Sequence, residues 1–141
     1  MLSPEERLEQ IEKVLSQLQD LSETTPIIVE GLRDIAALKR MGITRNVISL
    51  GKGDSIFNFS ENLSRSTRRA IILTDWDRKG GQLARMLREA LMANGVIAND
   101  NIRAKLGILS KKEVKDIESM PAFVERLRYR PLISMKKARP G

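Results

Sequence analysis

The chain has 141 residues, 41% of them hydrophobic and 30% charged, which fits one soluble domain with a sizeable core and argues against intrinsic disorder. It contains neither cysteine nor histidine, which excludes disulfides, thiolate chemistry, cysteine zinc sites and imidazole acting as base or metal ligand. A bound metal must therefore take oxygen ligands, and the net charge of +7 favours a polyanionic partner such as nucleic acid.

The chain begins with a helix signal. Ser3 fits a cap, Pro4 the first helical position, and Ser3 with Glu6 a capping box. Leu8, Ile11, Val14, Leu15, Leu18 and Leu21 follow at helical spacing, predicting an amphipathic helix that packs on the domain. The first ten residues are too acidic for a targeting peptide and no apolar run is long enough for a membrane span, so a cytoplasmic protein is expected.

After a polar break at residues 22–25, "PIIVE" predicts a strand, "GLRDIAALKRMG" a helix closed by Gly42, and "NVISLG" a second strand. A weaker helix or loop precedes the strand "RAIILTD", and "GGQLARMLREALMANG" predicts a helix ending at Gly95. Continuous apolar strands alternating with helices indicate an α/β domain with a parallel sheet covered on both faces. Farther on, "NIRAKLGIL" is expected to hold a fourth strand, and "SKKEVKDIESMPAFVERLRYR" a helix interrupted by Pro121. From Arg126 the chain carries Arg126, Arg128, Arg130, Lys136, Lys137 and Arg139 without an acid, which suggests a basic tail. The expected organisation is an N-terminal helix at 1–24, an α/β domain at 26–125 and the tail at 126–141.

Functional groups in such a sheet gather beyond the carboxyl ends of its strands. Glu30 and Gly31 follow the first strand, with Asp34 one helical turn later; Asp75 and Asp77 follow the third. Residues two apart in extended chain face the same way, about 6–7 Å between Cα atoms, so Asp75 and Asp77 can share one volume. Glu30 joins them if the first and third strands are neighbours. Crowded carboxylates call for a cation, which makes Glu30, Asp75 and Asp77 candidate metal ligands. The competing role for Asp77 is a helix cap, and for Asp34 an acid in a first turn. An EF-hand starting at Asp75 fails because Lys79 and Met86 stand at ligand positions, and a P-loop at Lys52 fails because Gly53 follows it.

These segments resemble the Toprim domain of topoisomerases, bacterial-type primases, OLD-family nucleases and the ribonuclease that matures 5S ribosomal RNA. Glu30-Gly31 matches the family's Glu-Gly pair, Asp75, Asp77 and Gly80 match its Asp-x-Asp-x-x-Gly, and Asp34 extends the first motif as in primases and small Toprim proteins. The likeness covers roughly residues 26–105, and the overall size is similar to small stand-alone archaeal Toprim proteins. The resemblance implies a Rossmann-like Toprim sheet with an added N-terminal helix. It also implies Mg²⁺ shared by Glu30 and Asp75 and a second ion at Asp75 and Asp77; the oxygen-only donors also admit Mn²⁺ as a substitute. Catalytic roles would then fall to Glu30, Asp34, Asp75 and Asp77, with Glu30 the general acid or base.

Around such a metal, Arg33, Lys52, Arg78 and Lys79 are candidates for contacting the phosphates of RNA or DNA. Gly31 and Gly80 are expected to give a phosphate room. Trp76 lies between the acids, and strand alternation points it away from them, toward packing. A topoisomerase needs an active-site tyrosine in a separate domain; the single tyrosine, Tyr129, lies in the basic segment. The expected activity is therefore Mg²⁺-dependent phosphodiester chemistry, endonuclease ahead of nucleotidyl transfer. The alternative is a non-catalytic binding subunit of a larger RNA- or DNA-processing complex.

Overall fold

The computed structural model describes residues 2–51, 53–110 and 113–138, with side chains described as far as Tyr129. Its four strands are β1 (Ile27–Val29), β2 (Val47–Ser49), β3 (Arg69–Ile72) and β4 (Ile97–Asn99). They form one parallel sheet in the order β2-β1-β3-β4. The chain runs from β1 out to β2, crosses back past β1 to β3 and continues outward to β4, so the order reverses between β1 and β3. In open α/β sheets, functional groups gather beyond the carboxyl ends of such a pair.

Because side chains alternate along a strand, the sheet builds two cores. Ile27, Val29, Ile71 and Leu73 face one layer, made by α1 (Pro4–Leu21), α2 (Leu32–Arg40), α5 (Asn101–Ser110) and α6 (Met120–Ala138). Ile28, Ala70, Ile72 and Ala98 face the other, made by α3 (Ile56–Ser64) and α4 (Arg78–Ala93). The first helix starts as its sequence dictates: Glu6 N–H donates to Ser3 Oγ at 3.1 Å, and Ser3 N–H to Glu6 Oε1 at 3.2 Å. Its stripe Ile11, Val14, Leu15 and Leu18 is buried, mainly against α6 and α5. Each such side chain removed from water stabilises the fold by about 1.5–3 kcal/mol. Gly42 and Gly95 close their helices with φ of +91° and +77°, the left-handed conformation that a glycine adopts without strain.

Two expectations need correction. Residues 101–109 form no strand: they are α5, and the fourth strand lies just upstream at Ile97–Asn99. Ile102, Leu106 and Ser110 are buried at a spacing of four, a helical period, and Asn99 Oδ1 accepts from Asn101 N–H at 2.8 Å as the chain turns into the helix. Pro121 does not interrupt a helix either. It is the second residue of α6, where its missing N–H costs no helical hydrogen bond. The boundary expected at Arg126 falls inside this helix, and Leu127 just past it is 1% exposed in the core. Among the described residues no helix is long and apolar enough to cross a membrane.

Candidate functional site

The adjoining ends of β1 and β3 hold the acids. Glu30 follows β1 and Asp75 lies three residues past β3, each half-buried. Glu30 Oε2 accepts from the backbone N–H of Asp75 at 2.8 Å, tying the two strand ends together. Asp75 Oδ1 accepts from the N–H of Ile117 at 3.0 Å. Burial pushes the Asp75 carboxyl up to about 7, against the Ile117 hydrogen bond, with the charges of Glu30 and Asp34 adding to the rise. Asp34 is 7% exposed and Oδ2 accepts from Gly31 N–H at 3.0 Å, closing the first turn of α2. Its carboxyl is raised by burial, against the Gly31 bond, and further by Glu30, Glu118 and Asp116.

Asp77 is placed differently. It caps α4, its Oδ1 accepting from Gly80 N–H at 2.7 Å, and it is exposed. The structure therefore brings Glu30, Asp34 and Asp75 into one acidic crest, with Asp77 at the start of the adjoining helix. Among the described residues no group of three acidic side chains is arranged to hold a metal ion. What fits an oxygen-seeking divalent cation is the Glu30–Asp75 pair: two hard carboxylates at adjoining strand ends, with Asp75 raised first by burial and further by the charge of Glu30.

The glycines divide as well. A Cβ on Gly80 would lie 1.8 Å from the carbonyl oxygen of Asp75, so this glycine lets the first turn of α4 pack on the protein's own backbone. Its role is fold geometry, not the room for phosphate expected of it. A Cβ on Gly31 would meet nothing within 4 Å.

Of the basic candidates, Arg33 is exposed and reaches Glu118 at 3.8 Å. Arg78 and Lys79 are exposed on the first turn of α4. Lys52 lies outside the described residues. Trp76 packs against the larger core and against Gly107 of α5, where an added Cβ would sit 3.5 Å from the indole Cγ. Its Nε1–H donates to Val114 O at 2.6 Å, which supports the packing role.

Sequence reading missed the segment 113–119. Lys115 O accepts from Trp76 N–H at 2.8 Å, Ile117 N–H holds Asp75, and Asp116 and Glu118 add negative charge near Asp34. It also missed Arg103 of α5. The Arg103 Nη2 donates to Asp75 O at 2.7 Å and Nε to Thr74 O at 3.1 Å, fixing the end of β3. No local signal marks these residues: both contacts join parts of the chain that only folding brings together.

Comparison with known proteins agrees with this architecture. The Toprim domain matches residues 25–107. A UPF0292 protein of Methanosarcina barkeri is 45% identical over 88% of this chain and 87% of its own length. Another, from Methanocaldococcus jannaschii, is 31% identical over 86% of this chain and 95% of its own. A solved structure of a protein from Aquifex aeolicus is similar with a TM-score of 0.65 and 28% identity, covering 76% of this chain and 94% of that one. Segment 113–119, which holds Asp75 in place, lies beyond the Toprim match. Toprim domains generally bind Mg²⁺, in keeping with the oxygen-only donors of the crest. The chain belongs to the Toprim-domain proteins, within the UPF0292 family.

Proposed function

We propose that this protein carries out Mg²⁺-dependent phosphodiester chemistry on nucleic acid, with endonucleolytic cleavage ahead of nucleotidyl transfer. The observation that carries the reading is the pairing of Glu30 with Asp75 at the switch point of a Toprim sheet. Both carboxylates would hold Mg²⁺, with Mn²⁺ able to replace it; a second ion would draw on Asp77 after it releases the helix cap. When bound, the metal supplies Lewis acidity toward a phosphate oxygen and lowers the pKa of a bound water. Glu30, whose Oε2 accepts from the Asp75 N–H, would act as general acid or base, the role the Toprim resemblance gives this glutamate. Ile117 and Arg103 keep Asp75 and its peptide fixed during the reaction. Asp34 holds the Glu30–Gly31 turn in place through the Gly31 N–H.

The test is turnover on mixed RNA and DNA substrates with Mg²⁺ or Mn²⁺, for the wild type and Glu30→Gln. The substitution changes proton chemistry with little change in shape. It should cut turnover on the order of 10²–10⁴-fold while nucleic-acid affinity, measured in EDTA, stays within a few-fold. Equal loss of both would assign Glu30 a structural role.

One observation favours a second reading. With Asp77 used as a helix cap, the acidic set is one ligand short of the full two-ion arrangement. A non-catalytic subunit that docks nucleic acid onto a larger processing complex would need no more than the Glu30–Asp75 site. Wild-type protein that binds nucleic acid without turning it over would establish that alternative.

A further inference from the structure

On the far side of the Asp75–Asp77 turn the chemistry reverses sign. Residues 78, 81, 82, 85 and 88 recur at helical spacing and present one face of α4 toward the start of α5. Between the two helices runs a groove of about 640 Å³, lined by Arg78, Arg85, Arg88 and Arg103 together with Trp76 and Asp77. Its two acids are already engaged: Asp100 accepts from Arg88 at 3.0 Å, and Asp77 caps α4. Arg103 commits Nε and Nη2 to the carbonyls of Thr74 and Asp75. Arg78 and Arg85 make no ion pair among the described residues, and both are exposed.

Arginines gathered on one wall repel each other until an anion lies between them, and the planar guanidinium fork matches phosphate oxygens. From residue 78 to residue 88 the helix rises about 15 Å, the axial length of roughly four phosphates in one strand of a duplex. The groove meets the acidic crest at the peptide of Asp75, which Arg103 touches from the groove side. An occupant lying along α4 thus ends at the Glu30–Asp75 pair.

We propose that the α4–α5 groove is the track along which a polynucleotide backbone lies as it enters the acidic crest, with Arg78 and Arg85 as its main phosphate contacts. This inference rests on the function proposed above and adds the direction of approach. The basic segment from Arg126 onward is the rival track. Two of its cations have partners within the chain, however: Arg128 reaches Glu12 at 3.6 Å, and Arg126 lies 5.8 Å over the Phe123 ring.

The experiment is fluorescence anisotropy with labelled 20-nucleotide single-stranded and duplex probes, in EDTA so that no cleavage intervenes, across a salt series. Arg78→Gln/Arg85→Gln should weaken binding at least tenfold at low salt and flatten the log–log salt slope by about 1.5, since each phosphate that is no longer neutralised removes about 0.7–0.9. Lys39→Gln/Arg40→Gln removes the same charge at the end of α2 and should leave the slope near wild type. Melting with and without Mg²⁺ shows that each variant is folded and still binds metal. Equal flattening by both double variants would reduce the effect to net charge and overturn the groove. So would unchanged binding by Arg78→Gln/Arg85→Gln, with the proposed function left standing. Displacement of the probe by polyglutamate as readily as by unlabelled oligonucleotide would make the groove an acidic-peptide site and also overturn it. A wild type that binds no polynucleotide while Mg²⁺ still raises its melting temperature would overturn the function itself, and the groove with it.

Discussion

Asp75 and Asp77 are the same side chain two residues apart on one turn, yet they belong to opposite regions. On the β1 side, Asp75 is half-buried, gripped by the Ile117 N–H, and crowded by Glu30 and Asp34. On the α4 side, Asp77 is exposed, caps a helix and borders a groove walled by four arginines. The motif alone presents them as equivalent. The difference comes from which element closes over each: a distant loop covers Asp75, and the start of α4 takes up Asp77. A carboxylate without a compensating cation is costly under cover and cheap in water, so a bound cation would relieve more at Asp75 than at Asp77.

The largest effect should come from removing the hinge between the two regions. Gly80→Ala places a methyl group 1.8 Å from the Asp75 carbonyl oxygen, and backbone cannot yield as a flexible side chain can. The expected loss is on the order of 3 kcal/mol, a fall of roughly 10 °C in melting temperature, together with loss of the Mg²⁺-induced shift. A variant that melts like the wild type would mean that the two regions are not joined as described.

Asp75→Asn comes next and addresses the covered side. Burial and like charge raise the folded-state carboxyl from 3.8 to about 7, so the native state holds this proton more tightly than the unfolded chain does. Metal-free stability should therefore fall as pH rises from about 4 to about 7, and level off above that. Asn carries no such charge. At pH 8 in EDTA the variant should be more stable, by about 1–2 kcal/mol once solvent screening at a half-exposed position is discounted, and the pH slope should flatten. Saturating Mg²⁺ should raise the melting temperature of the wild type and leave that of the variant unmoved. A retained metal shift would remove Asp75 from the ligand set.

Asp77→Ala addresses the open side, with a smaller expected cost. Loss of the cap on α4 should destabilise by about 1 kcal/mol at neutral pH. The Mg²⁺ shift carried by Glu30 and Asp75 should persist, though reduced if a second ion binds. Complete loss of that shift would show that Asp77 is a ligand of the first ion and that the capped geometry changes when metal arrives.

The smallest effect is expected at Arg33→Gln. Its contact with Glu118 is long and exposed, so stability should change by less than about 0.5 kcal/mol. Nucleic-acid affinity should fall less than for Arg78→Gln/Arg85→Gln in the same titration. A larger fall would place the backbone on the α2 side of the crest instead of the α4 side.

Much of the molecule follows from the sequence because the interactions responsible are local. The capping box at Ser3 and Glu6, the buried stripe of α1, and the glycines at 42 and 95 act within a few residues of chain, as do the three apolar strands. Glu30, Asp34, Asp75 and Asp77 were identifiable for the same reason: each follows a strand whose end can be recognised nearby. The short segment at 97–109 was harder, since a brief apolar run suits strand or helix until its partners are known. Tertiary structure alone decided that β1 and β3 are neighbours, which puts Glu30 on Asp75. It alone brought Ile117 onto the Asp75 carboxylate across 42 residues, Arg103 onto its carbonyl across 28, and four arginines of two helices into one groove. Spacing in sequence fixes the direction of a side chain within its own element. What covers that side chain, and hence its charge, depends on how distant elements pack, which no local pattern encodes.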